Sequence, residues 1–165
     1  MPDKKFLVIN TSPTLALIAA LGDLKILDVL YDKVLMPFEV CLELQAGGNT
    51  GFGLSAFEEA SWIHKKQHPL DAVTPFLANS LDRGEAAVIQ LALDEGISRV
   101  AIDEVSGRRV ARLSGLTVTG SIGILLRAKK EGYPITLRTA IERMHRQGIW
   151  LSQSVIDFAL RESGE

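Results

Sequence analysis

Residues 99–132 read RVAIDEVSGRRVARLSGLTVTGSIGILLRAKKEG, and they contain two short apolar runs, each followed by a longer segment of helical character. The runs 99–102 and 116–118 predict buried strands. The segments 106–114 and 121–130 predict helices. Strands that alternate with helices are typical of a parallel sheet covered on both faces. This stretch therefore predicts an α/β fold.

The rest of the chain repeats the alternation of apolar runs and helical segments. Further strands are predicted at 6–9 and 33–36, with an extended stretch near Trp62. The segment 64–75 has no clear periodicity, and 47–53, GGNTGFG, predicts a loop. Further helices are predicted over 14–20, 24–30, 37–46, 54–60, 82–94, 135–147 and 152–161.

The composition restricts the class of protein. A chain of 165 residues with 47% hydrophobic and 23% charged residues fits one ordinary globular domain and excludes intrinsic disorder. Its single cysteine, Cys41, excludes an internal disulfide and favours a reducing compartment. The N-terminal apolar run 6–9 is too short for a signal peptide or a membrane span. We therefore expect a cytoplasmic protein with no membrane association.

The net charge of −2 hides a strong asymmetry along the chain. Residues 1–104 hold 8 Lys and Arg against 15 Asp and Glu, and residues 105–150 hold 9 against 2. An acidic front part and a basic segment suit a metal site beside a phosphate-binding surface. The alternative is that both charges only solvate helix faces.

Polar side chains follow the predicted strands where ligands of parallel sheets bind. Asn10 comes directly after one strand, and Asp103 and Glu104 come after another. Glu43 and Glu85 lie in helices that follow strand ends. Together these side chains could form an oxygen-lined pocket for Mg²⁺ or Mn²⁺. Such an ion can activate water and stabilise the leaving oxygen of a phosphodiester.

Each of these residues also has a purely structural interpretation. Asn10 could cap the helix that follows it, and Asp82 and Glu85 have the spacing of a capping box. Asp103 or Glu104 could cap the helix after them, and the remaining glutamate could simply be solvated. The spacing of the acids alone leaves both interpretations open.

Basic and hydroxyl side chains near Asp103 are candidates for binding nucleic acid. Arg108 and Arg112 are one helical turn apart and are the best placed to meet a phosphate. Thr119 and Ser121 precede a helix, so their hydroxyls and the free N–H groups there could hold an anion. The alternatives are solubilising charges and an ordinary helix cap.

Several other active-site classes are excluded. The three histidines and Cys41 lack zinc-ligand spacing, and the sequence contains no Gly-x-Ser-x-Gly, Walker loop or Gly-x-Gly-x-x-Gly. A domain binding a small phosphorylated ligand would need such a phosphate loop.

Five stretches of the sequence carry a resemblance to a known family: VINTSP, PFEVCLEL, LDRGEAAVIQLA, AIDEVSGRRVA and LTVTGSIGILLRAKKEG. Together they resemble the PIN-domain family, and specifically an uncharacterised bacterial and archaeal branch of predicted PIN nucleases. The resemblance covers about residues 6–160. It implies a three-layer α/β/α fold in which residues 1–165 form one PIN-like domain, with the C-terminal helices 135–162 packed on it.

The resemblance also implies a site. Its catalytic ring corresponds to Asn10, Glu43, Glu85 and Asp103, and Glu104 joins the last three as ligands of Mg²⁺ or Mn²⁺. Many PIN nucleases carry aspartate at the position of Asn10, and an amide lacks that charge, so a weaker hold on the metal is expected.

The implied activity is that of a metal-dependent endoribonuclease, often the toxin of a toxin–antitoxin pair. Its partners would be an RNA substrate, an antitoxin protein and a second copy in a homodimer. Arg108 and Arg112 would steady the phosphate backbone, and Thr119 or Ser121 would add a hydroxyl near the site. The alternative is a catalytically inactive PIN-like module that binds nucleic acid or a protein partner.

Overall fold

A five-stranded, all-parallel sheet lies at the centre of the computed structural model, which describes residues 5–47 and 51–165. The strand order is β3-β2-β1-β4-β5. Strand β1 is fully covered, since Leu7, Val8 and Ile9 are each 0% exposed, and such continuous apolar runs are typical of central parallel strands. The strands are β1 Phe6–Ile9, β2 Lys33–Met36, β3 Ile63–Lys65, β4 Arg99–Ala101 and β5 Thr117–Thr119.

The order of the strands creates a crevice between β1 and β4. The chain first builds outward from β1 through β2 to β3, then returns to the other side of β1 for β4 and β5. Val8 pairs with Val100, and Ile9 with Ala101. Neighbouring loops diverge at such a switch point and leave room for a ligand at the carboxyl ends of the strands.

Helices surround the sheet and complete the predicted three-layer α/β/α arrangement, which is confirmed. Within the described residues, no helix is long and apolar enough to cross a membrane. The helices are α1 Thr11–Leu21, α2 Lys25–Leu30, α3 Phe38–Ala46, α4 Leu54–Glu59, α5 Pro75–Ser80, α6 Arg83–Glu95, α7 Val105–Leu113, α8 Ser121–Lys130, α9 Leu137–Arg146 and α10 Gln153–Ser163.

The extended stretch predicted near Trp62 and Ile63 corresponds to the edge strand β3, which has three residues. The structure adds the short helix α5 in the segment without clear periodicity, where six residues are too few to reveal a repeat. Helix α1 begins at Thr11, three residues before its predicted start, because Asn10 is extended and Pro13 lies within the first turn. Of the predicted loop 47–53, residues 48–50 lie outside the described part.

The two C-terminal helices pack on the layer formed by α1 and α8. Leu137 and Met144 of α9 are each 0% exposed, and the Arg143 guanidinium donates to the Ala20 carbonyl at 3.4 Å. These contacts fix α9 across α1.

Candidate metal centre

Asn10 links the two central strands at the mouth of the crevice. Its backbone N–H donates to the Ala101 carbonyl at 3.0 Å, which ties the end of β1 to the end of β4. Asn10 occupies the N-cap position of α1, but its side chain makes no capping hydrogen bond there. The amide is 96% buried, and its Oδ1 faces Gly84 in α6. The side chain therefore belongs to the crevice and does not cap the helix.

Glu43 reaches the same place from α3. Its Oε2 accepts a hydrogen bond from the Thr11 hydroxyl at 2.8 Å, and its Oε1 lies against Gly84. Burial raises the pKa of Glu43, and the charges of Asp82 and Glu104 raise it further, while the Thr11 hydroxyl opposes the shift. Glu43 and Asn10 therefore meet at Gly84, close to other acids.

Three more acids form a cluster beside this pair. Asp82, Glu85 and Glu104 each offer a carboxylate oxygen within 4.8 Å of the others. Asp82 caps α6 by accepting the Glu85 backbone N–H at 2.9 Å. This cap uses only the backbone of Glu85 and leaves its carboxyl group free to join the cluster. The capping and ligand interpretations therefore hold at the same time.

Glu85 is the buried member of this cluster, and its pKa is strongly raised. It is 97% buried, and its Oε2 has no hydrogen-bond partner in the part of the chain described. Burial, hydrogen bonds with Asp82 and Glu104, and their negative charges raise the pKa of Glu85 to about 8. Such a carboxyl group keeps its proton unless a cation replaces it. An orphaned buried oxygen among acids fits a bound divalent ion.

Asp103 is held more firmly than the other acids. Its Oδ1 accepts the Ser121 backbone N–H at 2.7 Å, and its Oδ2 accepts the Ser121 hydroxyl at 2.9 Å. Burial raises the pKa of Asp103, whereas these bonds and the charge of Arg108 lower it. Asp103 thus sits at the positive N-terminus of α8 and not at that of α7.

The predicted anion site at the start of α8 therefore already holds an anion from the protein itself. Ser121 is 98% buried, and both of its donors bind Asp103. The Thr119 hydroxyl lies 3.5 Å from the Gly120 carbonyl. Of these groups, Ser121 alone therefore supports the position of Asp103, and it has no donor left for a nucleic acid.

Glu104 is exposed and directs its carboxylate toward α1. Its Oε1 accepts the Ser12 hydroxyl at 3.3 Å. Although Glu104 occupies the N-cap position of α7, its side chain makes no capping hydrogen bond. Like Asn10, it therefore occupies an N-cap position without capping the helix.

The two arginines differ in their freedom to bind phosphate. Arg108 is half-buried beside Asp103 and donates to the Ile102 carbonyl at 2.9 Å. Burial lowers the pKa of Arg108, and the charge of Arg112 adds to this. Arg112 is exposed and forms no ion pair with any described residue. Arg112 is therefore the freer of the two to bind a phosphate.

A surface pocket elsewhere in the molecule contains none of these residues. It lies beside the ends of β2 and β3 and includes Pro37, Lys66 and Glu95 in its lining. Lys66 and Glu95 form an ion pair at 3.1 Å, so these charges are satisfied internally. The candidate acids lie instead at the ends of β1 and β4.

Most of these residues were predicted from the sequence as site residues, but Asp82 was predicted only as a helix cap. An aspartate just before a helix fits both a cap and a metal ligand, so its position in the sequence does not distinguish the two. Only the fold shows that the Asp82 carboxylate lies close to that of Glu104. The sequence also contained no pattern that predicts the proximity of Gly84 to Glu43.

Comparison with known proteins points to one family. A family model described as a PIN domain matches residues 6–165. No curated protein and no solved structure matches the chain.

Proposed function

Because this chain belongs to the PIN-domain family, whose members are generally metal-dependent nucleases, we propose that it is a metal-dependent endoribonuclease. The observation that carries the proposal is the cluster of Asp82, Glu85 and Glu104, in which a buried carboxylate oxygen has no partner among the described residues. Carboxylate oxygens are the ligands that Mg²⁺ and Mn²⁺ prefer.

The ion would be held by Glu85 and Glu104, with Asp82, Glu43 and Asp103 completing the ring. A divalent ion at this place supplies an activated water and neutralises charge on the phosphate. Glu85 would give up its proton to solvent on binding such an ion, because the positive charge would lower the pKa of that carboxyl group. Ser121 keeps Asp103 fixed during this exchange.

Asn10 orients a water or a ligand through its amide oxygen. As a neutral group, it adds a ligand atom without adding to the crowding of negative charge. The phosphate backbone is steadied by Arg112 and, from its anchored position, by Arg108.

RNA is the substrate we propose, with the segment 105–150 as the surface that attracts it. This segment has a net charge of +7, opposite to the −7 of residues 1–104 that carry the acids. In this proposal the protein is one PIN-like domain, a homodimer and the cytoplasmic toxin of a toxin–antitoxin pair, with an antitoxin as its protein partner.

A second candidate is a module that binds nucleic acid or a protein without cleavage. It is favoured by Asn10, an amide inside an acidic ring, and by Asp103, both of whose oxygens are already engaged by Ser121. In this proposal binding to RNA persists in a chelator and no product forms.

Cleavage of an RNA panel with Mn²⁺ separates the two candidates. We expect cleavage by the wild type that stops with a chelator and with Asp103→Ala. Glu142→Gln removes an exposed acid of α9 that makes no contact with the site and should cleave like the wild type. RNA binding without cleavage under every metal condition would support the second candidate.

A further inference from the structure

Three of the acids in the ring share an unusual contact. Each places a carboxylate oxygen in the space that a Cβ would take on a glycine at the start of a later helix. The three pairs are Glu43 with Gly84 of α6, Glu85 with Gly107 of α7, and Asp103 with Gly120 at the N-cap of α8.

A side chain at any of these glycines would collide with the acid. A Cβ on Gly107 would lie 2.5 Å from Glu85 Oε2, and one on Gly120 would lie 2.6 Å from Asp103 Oδ1. A Cβ on Gly84 would overlap Glu43 Oε1. Separations under 3.0 Å essentially do not occur for real Cβ atoms, so each acid would have to move.

Backbone conformation does not explain these glycines. Gly84 and Gly107 lie in helices without positive φ, and Gly120 has a φ of −137°, which any residue adopts. Glycine in a helix destabilises it relative to alanine. The close approach of other side chains requires the missing Cβ. A carboxylate oxygen is the nearest atom at each glycine, and Ile102 Cγ2 would also lie 2.9 Å from a Cβ on Gly107 and Arg108 Nη1 2.8 Å from one on Gly120.

We propose that Gly84, Gly107 and Gly120 are positioning residues of the metal centre. Without side chains, they let the carboxylates lie on the first turns of three helices, where the partial positive charge of the N-terminus stabilises anions. The helix starts thereby set the spacing of the ligands. The part of this inference that concerns the ion rests on the proposed function.

Gly84 gives the sharpest test because its partner, Glu43, is exposed and can move aside. Gly84→Ala should therefore bind Mn²⁺ about 10- to 100-fold more weakly in a calorimetric titration, a loss typical of altered outer-shell support. The melting temperature of the metal-free protein should not fall, because the added methyl group favours the helix.

Gly123→Ala is the matched control. Gly123 also lies in the first turn of a helix, and its Cβ would meet only the Thr119 hydroxyl, at 2.7 Å, and no carboxylate. Its Mn²⁺ affinity should equal that of the wild type. An equal loss in Gly84→Ala and Gly123→Ala would overturn the inference.

A double-mutant cycle shows whether Gly84 acts through Glu43. In a Glu43→Ala background, Gly84→Ala should weaken Mn²⁺ binding no further. A full additional loss in that background would overturn the inference, since the glycine would then act without the acid.

Melting in a chelator tests the positioning role without any ion. Gly107→Ala should lower the melting temperature, because buried Glu85 and Ile102 leave no space, and Glu85→Ala should restore most of the loss. If the wild type binds no Mn²⁺ but this rescue occurs, the proposed function fails and the positioning role stands. If the rescue is absent, the positioning role fails.

Discussion

Glu85 in the crevice and Glu165 beside α9 are both carboxylates placed at the start of a helix, yet their surroundings are opposite. Glu165 accepts the backbone N–H groups of Leu137 and Arg138 at 2.7 and 3.1 Å, and the Lys129 ammonium at 2.8 Å. Burial raises its pKa, but these bonds outweigh burial and lower the pKa of Glu165 to about 2. Hydrogen-bond donors within the protein therefore stabilise the charged carboxylate of Glu165.

Glu85 has acids as neighbours where Glu165 has donors. Its pKa is raised to about 8 by burial, Asp82 and Glu104, and its Oε2 lacks a partner among the described residues. A carboxyl group in a cleft whose pKa is strongly perturbed by burial and by specific charged neighbours is a candidate for a functional site. The contrast supports the proposed cation site in the crevice and gives no reason to expect one at the α9 contact.

Glu85→Gln should have the largest effect. We expect Mn²⁺ affinity to fall by at least about 100-fold, more than the loss of an outer-shell partner, because a buried charge that faces the ion is removed. Calorimetric titration measures this, with Glu142→Gln as the charge-matched control. Unchanged affinity in Glu85→Gln would place the ion elsewhere.

The raised pKa of Glu85 predicts that the metal-free protein becomes less stable as pH rises. Between about pH 4.5 and 8 the native carboxyl keeps a proton that the unfolded chain has lost, so this stabilisation is present at low pH and disappears toward pH 8. We expect a loss on the order of 3 to 4 kcal/mol between pH 5 and 8 relative to Glu85→Gln. Denaturant unfolding in a chelator at each pH measures the difference. Parallel curves for the two proteins would contradict the assignment.

Asn10→Asp should increase the affinity for Mn²⁺ and decrease the stability of the metal-free protein. The added charge should tighten Mn²⁺ binding about tenfold and lower the melting temperature in a chelator, because another carboxylate joins the crowded ring. Titration and melting of the same sample test both effects. Weaker Mn²⁺ binding would show that the amide itself is needed.

Glu165→Gln tests the other region. It should destabilise the protein by about 1 kcal/mol, as does the loss of a helix cap, because Leu137 and Arg138 lose a charged acceptor. Mn²⁺ affinity should not change. Denaturant unfolding measures the first effect, and an altered Mn²⁺ affinity would mean that the two regions are coupled.

Arg112→Ala should have the smallest effect. RNA binding should weaken, and the slope of log affinity against log salt should decrease by about 1, as expected for one lost phosphate contact. Mn²⁺ affinity should stay the same. If the slope of log affinity against log salt concentration equals that of the wild type, Arg112 does not contact an RNA phosphate.

The sequence was sufficient for the parts of the fold whose pattern is long enough to read. Helix α6 and the buried run of β1 follow from periodicity and apolar content, and the parallel sheet follows from their alternation. Strand β3 has three residues at the edge of the sheet, so neither a repeat nor full burial marks it. Helix α5 has only six residues.

The site was predicted as a set of residues, but its internal contacts were not. The position of Asn10 after β1 was readable, whereas its lack of a capping bond required the structure. Ser121 was expected to hold an external anion, and the fold brings Asp103 to it from 18 residues away. Contacts between distant helix starts, such as Glu85 with Gly107, leave no local pattern.

We propose that Glu85 holds a proton that a divalent ion would displace. Mn²⁺ titrated into the wild type at pH 7, in two buffers with different ionisation enthalpies, counts the protons released on binding. We predict about one proton per ion in the wild type and none in Glu85→Gln, if any binding remains there. Absence of binding, or binding without proton release, would contradict the claim.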